Sequence, residues 1–192
     1  TQFADPDTYQ RIKENCRGYS GPEAEGVAML LKAASYAKTK PCEIVALDIE
    51  ADLGAGCRVD LLLYHTRERV LRFCEVKHFS NGELWARSGS KPPVMQQVQG
   101  YVARIQHLQQ RNEILAAYQA YVAGVNALLG LCLPSPQQVY PGVALLVFGY
   151  DSYQKQKIDD LLLGDGSLDG VGYYTRGSFR AMACNHLADL WK

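Results

Sequence analysis

The sequence predicts an α/β sandwich, a central mixed sheet flanked by helices. Three observations predict it. Apolar residues recur at helical spacing on both sides of a central block. That block holds three short runs rich in β-branched and aliphatic residues. A later run, residues 143–150 (VALLVFGY), is nearly all apolar, as in a strand covered on both faces. The 192 residues suit a single domain over 1–192, with a core at about 20–150 and a helix and strand extension over 151–192.

Ser20-Gly21-Pro22-Glu23 reads as a helix start, with Ser20 as the cap and Pro22 early. Val27, Leu30, Leu31 and Ala34 continue it at helical spacing to about Tyr36, and Lys40-Pro41 stops it. Residues 43–49 (EIVALDI) form the first predicted strand, and Gly54-Ala55-Gly56 a turn. Residues 58–64 (RVDLLLY) and 70–79 (VLRFCEVKHF) are the second and third strands, joined by the charged turn Thr66-Arg67-Glu68-Arg69. A loop with Gly82, Ser88-Gly89-Ser90 and Pro92-Pro93 follows. A helical pattern then runs from Val94 through Val98, Val102, Ile105 and Leu108, and another covers about 113–131. Beyond a proline-rich loop to Gly142 come the apolar strand, a helix at 153–163, a last strand at 171–175 and a closing helix at 178–191.

Hydrophobic residues make up 47% of the chain, enough for a real core. Twenty basic and twenty acidic side chains cancel. That balance counts against a protein that coats nucleic acid through bulk charge, and leaves room for an enzyme with a local basic groove. The six cysteines form no CxxC pair and show no zinc-ligand spacing, so free thiols in a reducing cytoplasm are expected. No charged-then-apolar leader and no bilayer-length apolar run is legible, so no membrane contact is expected. The start at Thr1 is compatible with trimming or with a larger parent protein, and homo-oligomerisation stays open.

Chemistry concentrates on the second and third strands. Strand side chains alternate between faces. Val59, Leu61 and Leu63 should therefore share one face, and Asp60 the other with Leu62 and Tyr64. On the next strand Glu75 and Lys77 share a face with Phe73. A turn centred between Arg67 and Glu68 sets Asp60 opposite Glu75, with the Lys77 ammonium one step along. Facing carboxylates destabilise a sheet unless something neutralises them. A divalent cation is the obvious candidate, because Mg²⁺ takes hard oxygen ligands and binds through one or two carboxylates plus substrate phosphate. Such an ion activates water and stabilises charge on a phosphoryl oxygen.

Asp60 followed by Glu75-Val76-Lys77 on the next strand resembles the signature of the PD-(D/E)xK nuclease superfamily, and helix, three strands, helix matches the order of that superfamily's core. Gln97 and Tyr101 form a QxxxY motif that resembles the RecB-type and related exonuclease branches. The likeness covers about residues 20–105, with the strand at 143–150 completing the sheet. Val59 stands where the family name has proline, a position that often varies. The resemblance implies a restriction-endonuclease-like α/β sandwich and a Mg²⁺- or Mn²⁺-dependent deoxyribonuclease. DNA is then the substrate, ahead of RNA. Asp60 and Glu75 would hold metal, Lys77 would activate water or stabilise charge, and Glu23 would be the acid of the first helix, ahead of Glu25. Gln97, Tyr101 and Arg104 share one helix face and would place the strand. The fold serves repair, restriction, defence and toxins alike.

Plainer readings stand beside these. Glu23 suits a capping box, Tyr101 a core aromatic, and His78 a packed histidine on the opposite face. Arg67, Glu68 and Arg69 read as a solvated turn, and Asp159 to Asp169 as a solvent face. Lys91, Arg87 and Arg104 suit either a DNA groove or solubility. The alternative to catalysis is a nucleic-acid-binding or assembly module on the same fold, and after it a structural domain.

Overall fold

A computed structural model describes residues 10–11, 21–35, 42–54, 56–86, 90–163, 171–180 and 182–191. A six-stranded sheet runs in the order β1-β2-β3-β5-β6, with a short β4 paired to β3. The strands are β1 (Ile44–Asp52), β2 (Arg58–His65), β3 (Val70–His78), β4 (Gln138–Val139), β5 (Ala144–Phe148) and β6 (Gly172–Arg176). β1, β2 and β3 form an antiparallel meander, while β3, β5 and β6 run parallel, so the sheet is mixed. Helices α1 (Pro22–Ala33), α2 (Pro93–Gln106), α3 (Leu108–Leu129) and α4 (Lys155–Leu163) flank it. The architecture is an α/β sandwich.

Each face of the sheet has its own core. Leu62, Tyr64, Leu71, Phe73, Leu145 and Val147 meet Val94, Val98, Tyr101 and Ile105 of α2 and Val122 of α3. Leu61, Leu63, Cys74, Val76 and Leu146 meet Leu30 of α1 on the other face. Full burial of one such aliphatic side chain stabilises by roughly 1.5–3 kcal/mol, so both layers matter. α1 approaches closely because residue 26 is glycine. A Cβ there would lie 2.3 Å from the Phe148 ring. The helix begins at Pro22 with Gly21 as its cap and no side-chain capping bond, while Ser20 lies outside the described residues.

Several expectations are corrected. The closing helix expected over 178–191 is a 3-10 helix and is shorter, Cys184–Trp191. β4 lies inside the stretch read as loop, because Tyr140 N–H donates to Leu71 O at 2.7 Å and pulls that segment beside β3. Val59 joins the core of Leu62 and Tyr64, not that of Leu61 and Leu63. Strict alternation fails there; Glu50, in the paired strand, has a left-handed φ of 50°. Cys42 is disulfide-bonded, whereas Cys57, Cys74 and Cys132 are free. Such a bond is uncommon in a reducing compartment. Among the described residues no helix is long and apolar enough to cross a membrane.

Candidate functional site

The β2–β3 ladder ends at Leu61 with Cys74, while the β3–β5 ladder continues to His78 with Phe148. The two edges of β3 therefore part company just beyond Cys74. The observed register, Leu61 with Cys74 and Leu63 with Arg72, stops one step short of residues 60 and 75. Asp60 fills this fork. Its Oδ2 accepts a hydrogen bond from Val76 N–H at 2.7 Å, replacing the backbone acceptor that β2 no longer supplies. Burial raises the Asp60 pKa above the ordinary carboxylate value, and Glu23 and Glu50 add to the rise; Val76 N–H and Lys77 oppose it.

Glu75 is 1% exposed and Lys77 6%. They point to the α2 face, with Lys77 Nζ 2.9 Å from Glu75 Oε1. Glu75 Oε2 is buried with no hydrogen-bond partner. Burial, then the neighbouring Asp60 charge, pushes the Glu75 carboxyl up to about 7, against the pull of Lys77. Lys77 has a second carboxylate, Glu83 Oε2, at 2.8 Å. Burial works to neutralise the ammonium, but the hydrogen bonds it donates to Glu75 and Glu83 outweigh it and keep the pKa above that of an ordinary lysine.

Glu23 arrives from the first turn of α1. Its Oε1 accepts from His78 N–H at 3.2 Å and from Asn81 Nδ2 at 2.5 Å. Asn81 Oδ1 in turn accepts from Glu83 N–H at 2.8 Å, capping a 3-10 turn, Gly82–Leu84. A chain of contacts thus runs from Glu23 through Asn81, Glu83 and Lys77 to Glu75. Glu25 points elsewhere, 3.8 Å from Arg180 on the exposed side. Sequence reading missed Asn81 and Glu83. An Asn-Gly-Glu turn signals a cap, but no spacing rule says that its carboxylate folds back onto Lys77.

On α2, Gln97 Nε2 donates to the Tyr101 hydroxyl at 2.8 Å, and that hydroxyl donates to Arg58 O at 2.6 Å. Tyr101 therefore fastens β2 two residues before Asp60. Burial, then Glu75, pushes the Tyr101 phenol up to about 12, so it stays a donor at neutral pH. Arg104 Nη1 reaches Gly54 O at 3.2 Å. Gly56, Arg58, Gln97, Gly100, Tyr101 and Arg104 line an open groove beside the fork. His78 lies on the other face, edge-on to Phe148 with ring centroids 5.1 Å apart. Lys91 is exposed, and Arg87 lies outside the described residues. Asp159 pairs with Lys155, and Asp160 accepts from Gln156, as on a solvated helix face.

The site thus gathers Asp60, Glu75, Lys77 and Glu23 at the end of β3, with Gln97, Tyr101 and Arg104 along one flank. Among the described residues, no group of three or more His, Cys, Asp or Glu side chains is placed to hold a metal ion. Asp60 and Glu75 are hard oxygen ligands, and Glu75 Oε2 is a buried acceptor without a donor. Mg²⁺ needs only one or two carboxylates when water and phosphate complete its shell. No protein-family model matches the chain, and no significantly similar curated protein or solved structure is found.

Proposed function

We propose that this chain is a metal-dependent nuclease of restriction-endonuclease-like fold, hydrolysing DNA phosphodiester bonds at the β2–β3 fork. The observation that carries the reading is the buried, partnerless Glu75 Oε2 beside Asp60 and Lys77. A carboxylate oxygen without a donor is costly in a core, and a cation at that place would remove the cost. Asp60 and Glu75 would hold Mg²⁺ or Mn²⁺, which supplies a water of lowered pKa and neutralises phosphoryl charge.

The chain's own groups do the rest. Lys77 keeps its proton at Nζ and donates toward the attacking water or the developing phosphoryl oxygen. Glu83, on a half-exposed turn, is free to leave Lys77 when an anionic substrate arrives. Glu23 holds the backbone just past Lys77, and Gln97 with Tyr101 holds that just before Asp60. Arg58 and Arg104, at the groove, supply cationic contacts for a phosphate backbone. A cytoplasmic setting suits a DNA substrate, and the Cys42 disulfide weighs against it.

A second reading, a non-catalytic nucleic-acid-binding or assembly module on this fold, draws on a different observation. Among the described residues no three-donor metal group is present, and Lys77 is already satisfied by two carboxylates. One experiment separates the two. Supercoiled plasmid, linear duplex, single-stranded DNA and RNA are incubated with Mg²⁺, Mn²⁺ or EDTA, using wild type and Lys77→Ala. Metal-dependent cutting, lost by at least ~100-fold in the variant, is the expected result. A folded Lys77→Ala protein with unchanged turnover overturns the nuclease. DNA retardation without cutting in any metal selects the second reading.

A further inference from the structure

We propose that the groove between β1 and α3 binds a small aliphatic polyamine, its ammonium groups on carboxylates and its carbon chain along tyrosine rings. The groove has a volume of about 480 Å³, within the range of small-ligand sites. Asp48 and Asp52 line it from β1, and Glu113, Ile114, Tyr118 and Tyr121 from one face of α3. Three carboxylates and no basic side chain thus face the space. Asp48 accepts from Ile49 N–H and the Tyr118 hydroxyl, Asp52 from Gly54 N–H, and Glu113 from Gln109. All of these partners are neutral, so none of the three acids is matched by a base among the described residues.

The fold fixes these walls. The pairing of β1 with β2 shifts register between Ala46 and Asp48, which sets Asp48 across from Leu62. Leu62 lies in the core beneath α2 and α3, and cross-strand partners share a face. The irregularity therefore aims Asp48 at α3, as bulges commonly do, and Tyr118 donates to its Oδ2 at 2.7 Å. The Tyr118 ring stands edge-on to Phe73 in the core, with centroids 6.4 Å apart, and to Tyr121 at 6.1 Å. Tyr121 is 46% exposed and leaves ring surface open to a ligand.

Carboxylates attract any cation, and the rest of the lining selects the kind. Among the described residues no three acids are gathered round one point that a metal ion could fill. Spread charges suit a ligand whose own charges are spread along a chain. Aromatic faces attract organic ammonium groups, which a hydrated metal ion does not exploit. Leu53, Ile114 and Ala117 offer apolar surface to the methylenes between the charges. The groove beside the β2–β3 fork has the opposite character, with Arg58 and Arg104 and no acid in its lining. The two grooves share no residue, so phosphate is drawn to one and repelled by the other. The amine site uses no residue of the fork, so it stands or falls apart from the nuclease reading.

The test is isothermal titration calorimetry of the whole chain with spermidine, in EDTA and at fixed ionic strength. Wild type is expected to show saturable binding at a single site. Asp52→Asn combined with Glu113→Gln removes two exposed charges, keeps the fold and should weaken binding at least ~10-fold. Tyr121→Ala should weaken it at least ~3-fold through the lost ring. No saturable binding in wild type, or wild-type affinity in either variant, overturns the site. Glu75→Gln should bind spermidine as wild type does. A loss there as large as in the double variant places the amine at the fork and overturns the assignment. Putrescine should bind at least ~10-fold more tightly than n-butylamine, which has the same carbons and only one ammonium group. Equal affinity for the two overturns the polyamine.

Discussion

At residues 75 and 77, β3 buries an acid and a base that answer each other; at residue 72 it buries a base that pairs with no acid among the described residues. Both places are almost completely covered, with Glu75 1% and Arg72 4% exposed. The difference lies in what the neighbouring elements bring. The end of β3 receives Asp60 from β2, Glu83 from a 3-10 turn and Glu23 from α1. Among the described residues, the start of β3 receives Tyr140 and the gap left by Gly172. Buried charge at the first place is largely balanced within the chain, with one carboxylate oxygen left over. At the second, no counter-charge comes from the described residues.

Opposite responses to charge removal would sharpen this contrast. Lys77→Ala leaves Glu75 and Asp60 without their cation and should cost about 3–5 kcal/mol in urea unfolding at pH 8. Arg72→Met should cost nothing or stabilise, because a hydrophobe of similar length replaces a buried charge that no acid among the described residues matches. Equal losses in the two variants would break the comparison.

Glu75→Gln probes the leftover acid through pH. In the unfolded chain Glu75 has the ordinary value of 4.5, and in the fold about 7. Between those values the folded state binds the extra proton. The stabilisation from this carboxyl is therefore complete below pH 4.5 and is lost as pH rises through 7. Glu75→Gln should match wild type near pH 4.5 and exceed it by up to roughly 3 kcal/mol at pH 8 without divalent cation. A constant difference between the proteins across that window would show that Glu75 titrates normally.

The smallest effect is expected at the flank. Tyr101→Phe removes a hydroxyl that links Gln97 to Arg58 O and should cost about 1–2 kcal/mol. Because Arg58 is two residues from Asp60, Mn²⁺ affinity should fall with it while DNA affinity in EDTA stays unchanged. The reverse pattern would mean that Tyr101 grips the strand directly.

Much of this was readable in advance, for local reasons. The three strands and their register follow from period-two patterning and one short charged turn, so Asp60 and Glu75 could be set level from residue numbers alone. Apolar spacing located α2, and with it Gln97 and Tyr101 on one face. Other features had no local signal. The placing of Val59 in the core of Leu62 and Tyr64 breaks the period-two pattern of its own strand. Glu83 reaches Lys77 because Asn81 is held by Glu23, 58 positions away in sequence. β4 exists because residues 138–140 happen to pass beside β3.

Local pattern, then, determined the α/β class, the order of elements and which side chains could carry chemistry, because periodicity and turn residues act over a few positions. Tertiary structure alone decided the state of those side chains. Burial and neighbours from distant elements set whether a charge is matched, partly matched or left alone. That is why the raised Glu75 pKa, the double hold on Lys77 and the solitary Arg72 emerge only when α1, the 3-10 turn, β5 and β6 close around β3.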